Sequence, residues 1–206
     1  MEEKERILNF AEKKFSQNGF YKTTMDELAR EMKISKKTIY KHYASKDELL
    51  HAVIDFITES IKRKVTKLVS KKTNSAEKLY LMSVFVTKRI NQISEKWLDD
   101  LRIYRPELWT KIEKFREKTI IDNIDKIITQ GKAEKLIVNK PNKIILMIII
   151  SSVQAILNPN FILNNNFSVN EAANTTLEIV FTGILTKQGR KLFKNFKSGL
   201  KDEKNI

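Results

Sequence analysis

The 206-residue sequence predicts an all-α fold, with an N-terminal three-helix unit followed by a larger helical bundle. Apolar residues recur at helical spacing almost throughout, and no strand-like alternation survives beyond a few positions. With 5 Gly and 3 Pro, turn formers are too few for a loop-rich β protein. Abundant Lys, Glu, Leu and Ile favour helices, and 41% hydrophobic residues are enough to bury a core.

A first helix runs from about Glu3 to Asn18, with Ile7, Leu8, Ala11 and Phe15 on one face and Gly19 as its stop. Thr24 to Glu27 has the form of a capping box and opens a second helix, which buries Leu28 and Met32. A short third helix opens at Ser35 and ends near His42. Ser45 to Glu48 is another capping box. It starts a long fourth helix striped by Leu49, Leu50, Val53, Ile57, Ile61, Val65 and Leu68.

Further helices are expected over Ala76 to Ser94 and Glu95 to Leu101. Arg105-Pro106 breaks the chain, and a long helix follows from Glu107 to Thr129, closed by Gly131. Pro141 sits at the first turn of a helix from Asn142 to Leu157, ended by Asn158-Pro159. After the polar loop Asn164 to Asn166, Ser168 to Glu171 caps a helix reaching about Leu185. The Lys-rich end from Lys187 is amphipathic through Leu192, Phe193 and Phe196.

With no cysteine, disulfides and thiolate metal sites are excluded, which fits a reducing compartment. The start MEEKERILNF carries acids and no apolar stretch, unlike a secretory signal. The longest apolar run, Ile144 to Ile150, falls far short of the roughly 18 residues of a membrane span. A cytoplasmic protein is expected. His42 and His51 have no nearby His or Cys partner, so no metal site is expected. There is no Gly-x-Ser-x-Gly nucleophile elbow and no Gly-rich phosphate or dinucleotide loop. Asp99 and Asp100 are adjacent and point about 100° apart on a helix, so they read as solvated residues, not an acid/base pair. No catalytic residue and no cofactor follow from the sequence.

The net charge of +14 favours an anionic partner, nucleic acid before acidic lipid. Residues 33–46 hold Lys33, Lys36, Lys37, Lys41 and Lys46 and no acid. Two further basic clusters, Lys62 to Lys72 and Lys187 to Lys204, lie far along the chain, so charge alone does not locate a site. The second and third helices, joined by Lys33-Ile34-Ser35, have the dimensions of a helix-turn-helix. A rigid two-turn helix fits the major groove, with its first residues at the base edges. Thr24, Lys36, Tyr40, His42 and Lys46 supply donors suited to phosphate. A solvated lysine face is the competing reading of the cluster, and Tyr40 also suits a half-buried aromatic fixing the third helix.

Arg6-Ile7-Leu8, Phe10-Ala11, Phe15, Gly19-Phe20, Thr23-Thr24, Leu28-Ala29, Ile34-Ser35, Thr38-Ile39-Tyr40, His42-Tyr43 and Ser45 to Leu50 resemble the DNA-binding domain of TetR/AcrR-family regulators in residue and spacing. The resemblance covers roughly the first fifty residues. It implies a helix-turn-helix domain at 1–46 and a ligand-binding and dimerisation domain at 47–206. It implies Thr24 as a phosphate contact and Lys36, Lys37 and Thr38, just after Ser35, at the base edges. Tyr40 and His42 match backbone-contacting positions, Lys46 a phosphate clamp, and Lys41 suits either job. The family usually has Gly where this chain has Lys33 in the turn and often where it has Lys37. Lys37 is a candidate guanine reader.

The resemblance also implies a homodimer, formed through the helices Asn142–Leu157 and Asn170–Leu185, on a near-palindromic duplex operator. It implies an apolar or amphipathic small-molecule effector. Phe85, Trp97, Tyr104, Trp109 and Phe115 are candidate pocket residues, each against a plain core role. A DNA-bound adaptor with a protein partner is the alternative. A helix buried within one monomer is the other account of the apolar run.

Overall fold

The computed structural model describes residues 2–156, 161 and 168–202. Among them run α1 (Glu3–Asn18), α2 (Met25–Met32), α3 (Lys36–His42), α4 (Lys46–Val69), α5 (Ser75–Ile90), α6 (Glu95–Tyr104), α7 (Pro106–Ala133), α8 (Asn142–Ile156), α9 (Val169–Ile184) and α10 (Lys187–Asp202). The only extended pairing among the described residues is the bridge Ile137–Leu185. None of these helices is long and apolar enough to cross a membrane. The predicted break at Asn158-Pro159 and the loop Asn164 to Asn166 lie outside the described residues.

Local chemistry explains the starts. The hydroxyls of Thr24, Ser35, Ser94 and Ser168 each accept the N–H of the residue three further on, satisfying a donor that the helix leaves free. Ser45 does the same for Glu48, at 3.0 Å, while the Glu48 carboxylate reaches back to the Ala44 N–H at 2.7 Å.

One expected stop is corrected. α7 continues through Gly131 to Ala133, because Gly131 is a packing residue: a Cβ there would strike the Ile137 side chain and the Ser75 hydroxyl. The chain turns instead at Lys135, which takes the left-handed conformation with φ 58°.

Packing divides the chain into two compact units. The first comprises Met1–Lys62 and Asn91–Phe115, so α6 and the start of α7 join the N-terminal helices. This packing division does not coincide with the boundary at residue 46 that the resemblance implies. Ile7, Ala11 and Phe15 of α1, Leu28 of α2, Ile39 of α3 and Leu49, Leu50 and Val53 of α4 share one buried cluster with Trp97, Leu101 and Leu108. Trp97 stacks on Phe15 (centroids 6.3 Å apart, planes 15°) and meets Phe20 edge-on at 5.8 Å. Such contacts add to the area term in a small core.

The second unit comprises Arg63–Ile90 and Arg116–Ile206. There α5 packs against α9 and α10, and α8 against α9. Tyr80 of α5 meets Phe193 edge-on at 5.8 Å and stacks on Phe196 of α10. Of the apolar run in α8, Ile145, Leu146, Ile149 and Ile150 are buried, whereas Ile144, Met147 and Ile148 are exposed.

Candidate nucleic-acid interface

The helix-turn-helix is assembled by its turn. Lys33 adopts φ 56°, ψ 43°, the left-handed region, and is the residue that stands where the family usually has Gly. Its N–H bonds to Arg30 O at 3.1 Å, and the Ile34 N–H to Ala29 O at 3.0 Å. These paired bonds close the end of α2 and reverse the chain into α3. Ser35 then caps α3 through the Thr38 N–H at 3.0 Å and shares a hydroxyl contact with Thr38 at 2.8 Å. On the other side of α2, Lys14 of α1 pairs with Glu27 at 2.9 Å and Glu31 at 2.6 Å. These carboxylates hold the Lys14 ammonium above its usual value, and Lys14 in turn holds the Glu27 carboxyl low.

On α3, Lys37 and Lys41 are fully exposed, four residues apart on one face. Lys36 and Tyr40 form a neighbouring exposed stripe, with the Lys36 ammonium 5.8 Å from the Tyr40 ring centre. Tyr40 is thus 41% exposed while its ring meets the Lys36 ammonium. The Lys36 ammonium also lies 2.6 Å from the Asp26 carboxylate, which raises its pKa. Thr24 is exposed at the start of α2, with its oxygen accepting from the Glu27 N–H and its hydroxyl proton left to donate. Thr38 is half-buried, and His42 stands 3.3 Å from Glu3 of α1.

Lys46, which the resemblance matches to a phosphate clamp, is half-buried at the start of α4. Its ammonium donates to the Tyr21 carbonyl at 2.8 Å, and burial lowers its pKa. The Tyr21 N–H, in turn, donates to Asp100 Oδ2 at 2.8 Å. Both backbone polar groups of this one residue are therefore held by charged side chains from α4 and α6, and the Tyr21 ring stacks on Tyr104 at 3.7 Å. Asp100, 6% exposed, is not the solvated residue its neighbour suggested. Asp99 is the more exposed of the two and pairs with Arg102 at 3.2 Å. Nearby, Arg105 ties the start of α7 to Asp47 at 2.7 Å. The pairings of Asp26, Tyr21, Asp100 and Arg105 could not be read from the sequence because each partner lies in another element.

Of the candidate pocket residues, Trp97, Tyr104, Trp109 and Phe115 lie in the first unit and Phe85 in the second. Trp97, 3% exposed, is core, with both its neighbours supplied by Phe15 and Phe20. Tyr104 is spent on Tyr21, and Trp109 packs against the first unit's cluster. Phe115 ends the first unit and Phe85 belongs to the second.

Residues 7–53 match the family described as bacterial regulatory proteins, tetR family. The chain is 27% identical over 183 residues to the HTH-type transcriptional regulator YvaF of Bacillus subtilis (strain 168), covering 87% of this chain and 94% of that one. Among solved structures, a transcriptional regulator from Cytophaga hutchinsonii superposes with a TM-score of 0.69 at 19% identity, over 88% of this chain and 98% of that one. FadR from Bacillus subtilis, solved in complex with stearoyl-CoA, superposes with a TM-score of 0.58 at 18% identity, over 87% and 98%.

Proposed function

We propose that the chain is a helix-turn-helix DNA-binding transcriptional regulator of the TetR family, whose description its residues 7–53 match, and that it works in the cytoplasm as a homodimeric repressor released by a small molecule. The observation that carries the reading is α3: a short helix with Lys37 and Lys41 exposed on one side and Lys36 and Tyr40 beside them. Lys36 and Lys37, near its first turn, are assigned to base edges. Thr24, Tyr40, Lys41 and the capped start of α3 at Ser35 and Thr38 are assigned to phosphates and register. His42 supports the end of α3 through Glu3, and Lys46 supports the reading head by holding the Tyr21 carbonyl.

Dimerisation is supported by the uncovered apolar residues of the second unit. Ile144, Met147 and Ile148 recur at i, i+3 and i+4 on α8, with Met147 63% exposed, and Ile179 on α9 is 65% exposed. Nothing stands within 4 Å of a Cβ placed on Gly183, which leaves room for close helix approach. A contiguous apolar surface of this kind marks a protein contact. A two-fold dimer would set its α3 helices about 34 Å apart and require a near-palindromic operator.

Release requires an effector that binds the DNA-incompetent state more tightly, since only the difference shifts the equilibrium. An apolar or amphipathic effector is supported by the stearoyl-CoA held by the FadR structure. Genomic footprinting will locate the operator, and a small-molecule screen will then seek release of the bound duplex. Lys37→Gln with Lys41→Gln is expected to abolish the footprint while the fold is kept, and an unchanged footprint would overturn the reading. A footprint that no small molecule disturbs, with a protein captured on it, would favour the adaptor role.

A further inference from the structure

The helix-turn-helix leaves two basic clusters of the chain without a role, and the fold of the second unit brings them together. Residues 60–76, 135–156 and 179–196 contain no Asp or Glu. Their ends meet through a set of specific bonds. Gln130 Nε2 donates to Thr73 O at 2.8 Å, and the Ser75 N–H to the Glu134 carboxylate at 2.7 Å. The Thr186 N–H donates to Leu136 O at 2.9 Å and its hydroxyl to Lys135 O at 3.0 Å. A Cβ on Gly189 would overlap the Leu136 carbonyl, so the start of α10 lies directly on this turn.

The result is one end of the second unit that carries Lys71, Lys72, Lys135, Lys187 and Lys191, all exposed. Among the described residues none of these five ammonium groups has a carboxylate within ion-pair distance. The carboxylate embedded there, Glu134, is committed to the Ser75 N–H and to Gln130 at 2.6 Å. Unpaired like charges held together repel, and an anionic partner relieves that repulsion.

We propose that this lysine surface is a second, sequence-independent contact for the phosphate backbone of duplex DNA. Among the described residues no large apolar side chain is exposed beside these lysines, which favours a polyphosphate over a lipid surface. Phe193 of α10 is buried and Phe196 is stacked on Tyr80, so these two rings are already used within the fold. Flexible lysines suit diffuse backbone contact, in which counterion release supplies the free energy. The choice of DNA as the polyanion rests on the regulator reading, because a chain bound by α3 meets further duplex at high local concentration.

The test is the salt dependence of full-length protein binding to a random-sequence duplex. Replacing the five lysines (Lys71→Gln, Lys72→Gln, Lys135→Gln, Lys187→Gln, Lys191→Gln) is expected to flatten the slope of log K against log salt. Each lost phosphate contact removes about 0.9, so a fall of about 2 or more is expected, with the circular dichroism spectrum unchanged. A slope equal to wild type overturns the proposal, as does a patch-dependent co-sedimentation with phosphatidylserine vesicles without any change in that slope. Lys37→Gln with Lys41→Gln, made with the lysine surface intact, serves as the independent arm. If that pair leaves duplex binding untouched, it is the α3 reading that fails; if only the five-lysine variant is silent, the second contact alone is refuted. Should the five-lysine variant unfold, reversing Lys187 and Lys191 to Glu, at exposed positions of α10, gives the same readout.

Discussion

Replacing Asp100 by alanine removes the acceptor of the Tyr21 N–H and leaves the Lys46 ammonium half-buried beside an unbalanced peptide. The contact is 2.8 Å long and its carboxylate 6% exposed, so water does not readily substitute. A hydrogen bond to a charged group contributes about 1.5–3 kcal/mol, and the expected loss of stability is about 2–3 kcal/mol. For a chain of this length that lowers Tm by roughly 4–12 °C. Asp100→Asn retains a neutral acceptor and is expected to cost about half as much.

The 2 Trp residues both lie in the first unit, so tryptophan fluorescence during urea unfolding reports this unit, while circular dichroism reports the whole chain. The tryptophan midpoint is expected to fall in Asp100→Ala, and Lys46→Met is expected to be less costly in that background than in wild type. An Asp100→Ala stability within about 0.5 kcal/mol of wild type, the range of an ordinary surface change, would refute the reasoning.

Three further outcomes are expected. Lys33→Gly relieves the left-handed backbone at φ 56°. The relief of about 1–2 kcal/mol exceeds the added chain entropy of about 0.5–1 kcal/mol, so the urea midpoint rises; a fall would show that the Lys33 side chain stabilises the turn. Asp26→Asn frees the Lys36 ammonium and removes a carboxylate from the α2–α3 face. Binding to a random duplex then tightens, because a carboxylate no longer repels the phosphates from this face, whereas an unchanged affinity would mean that this face does not meet DNA. For Glu134, burial pushes its pKa up, but the Ser75 N–H, the Gln130 amide and the charge of Lys78 together hold it below the usual carboxylate value. A depressed folded-state pKa stabilises above the unfolded value and loses that contribution as pH falls through the folded one. Stability of wild type should therefore fall more steeply with acid below pH 4.5 than that of Glu134→Gln, as read by urea midpoints across that range.

Most of the reading head was legible because its determinants are local. Thr24 caps α2 and Ser35 caps α3 through bonds to residues three positions on, and the positive φ expected where Lys33 replaces glycine depends only on the turn itself. Gly131 misled for the same reason: near a helix end glycine reads as a stop, and only the Ile137 and Ser75 side chains around it show that it is required for close packing. Trp97 could serve as core or pocket on its own helix, and Phe15 and Phe20 decide for the core.

The amino-acid order by itself determined the succession of helices, their caps and the charged short helix α3, since these depend on bonds and periodicities within a turn or two. The tertiary structure decided where the remaining charge goes. It set Asp100 against the Tyr21 N–H 79 residues away, brought Lys46 to the carbonyl of the same residue, gave Asp26 to Lys36, and gathered three acid-free segments at one end of the second unit. Burial and electrostatic partnership are properties of surfaces that touch, and only folding brings those surfaces together.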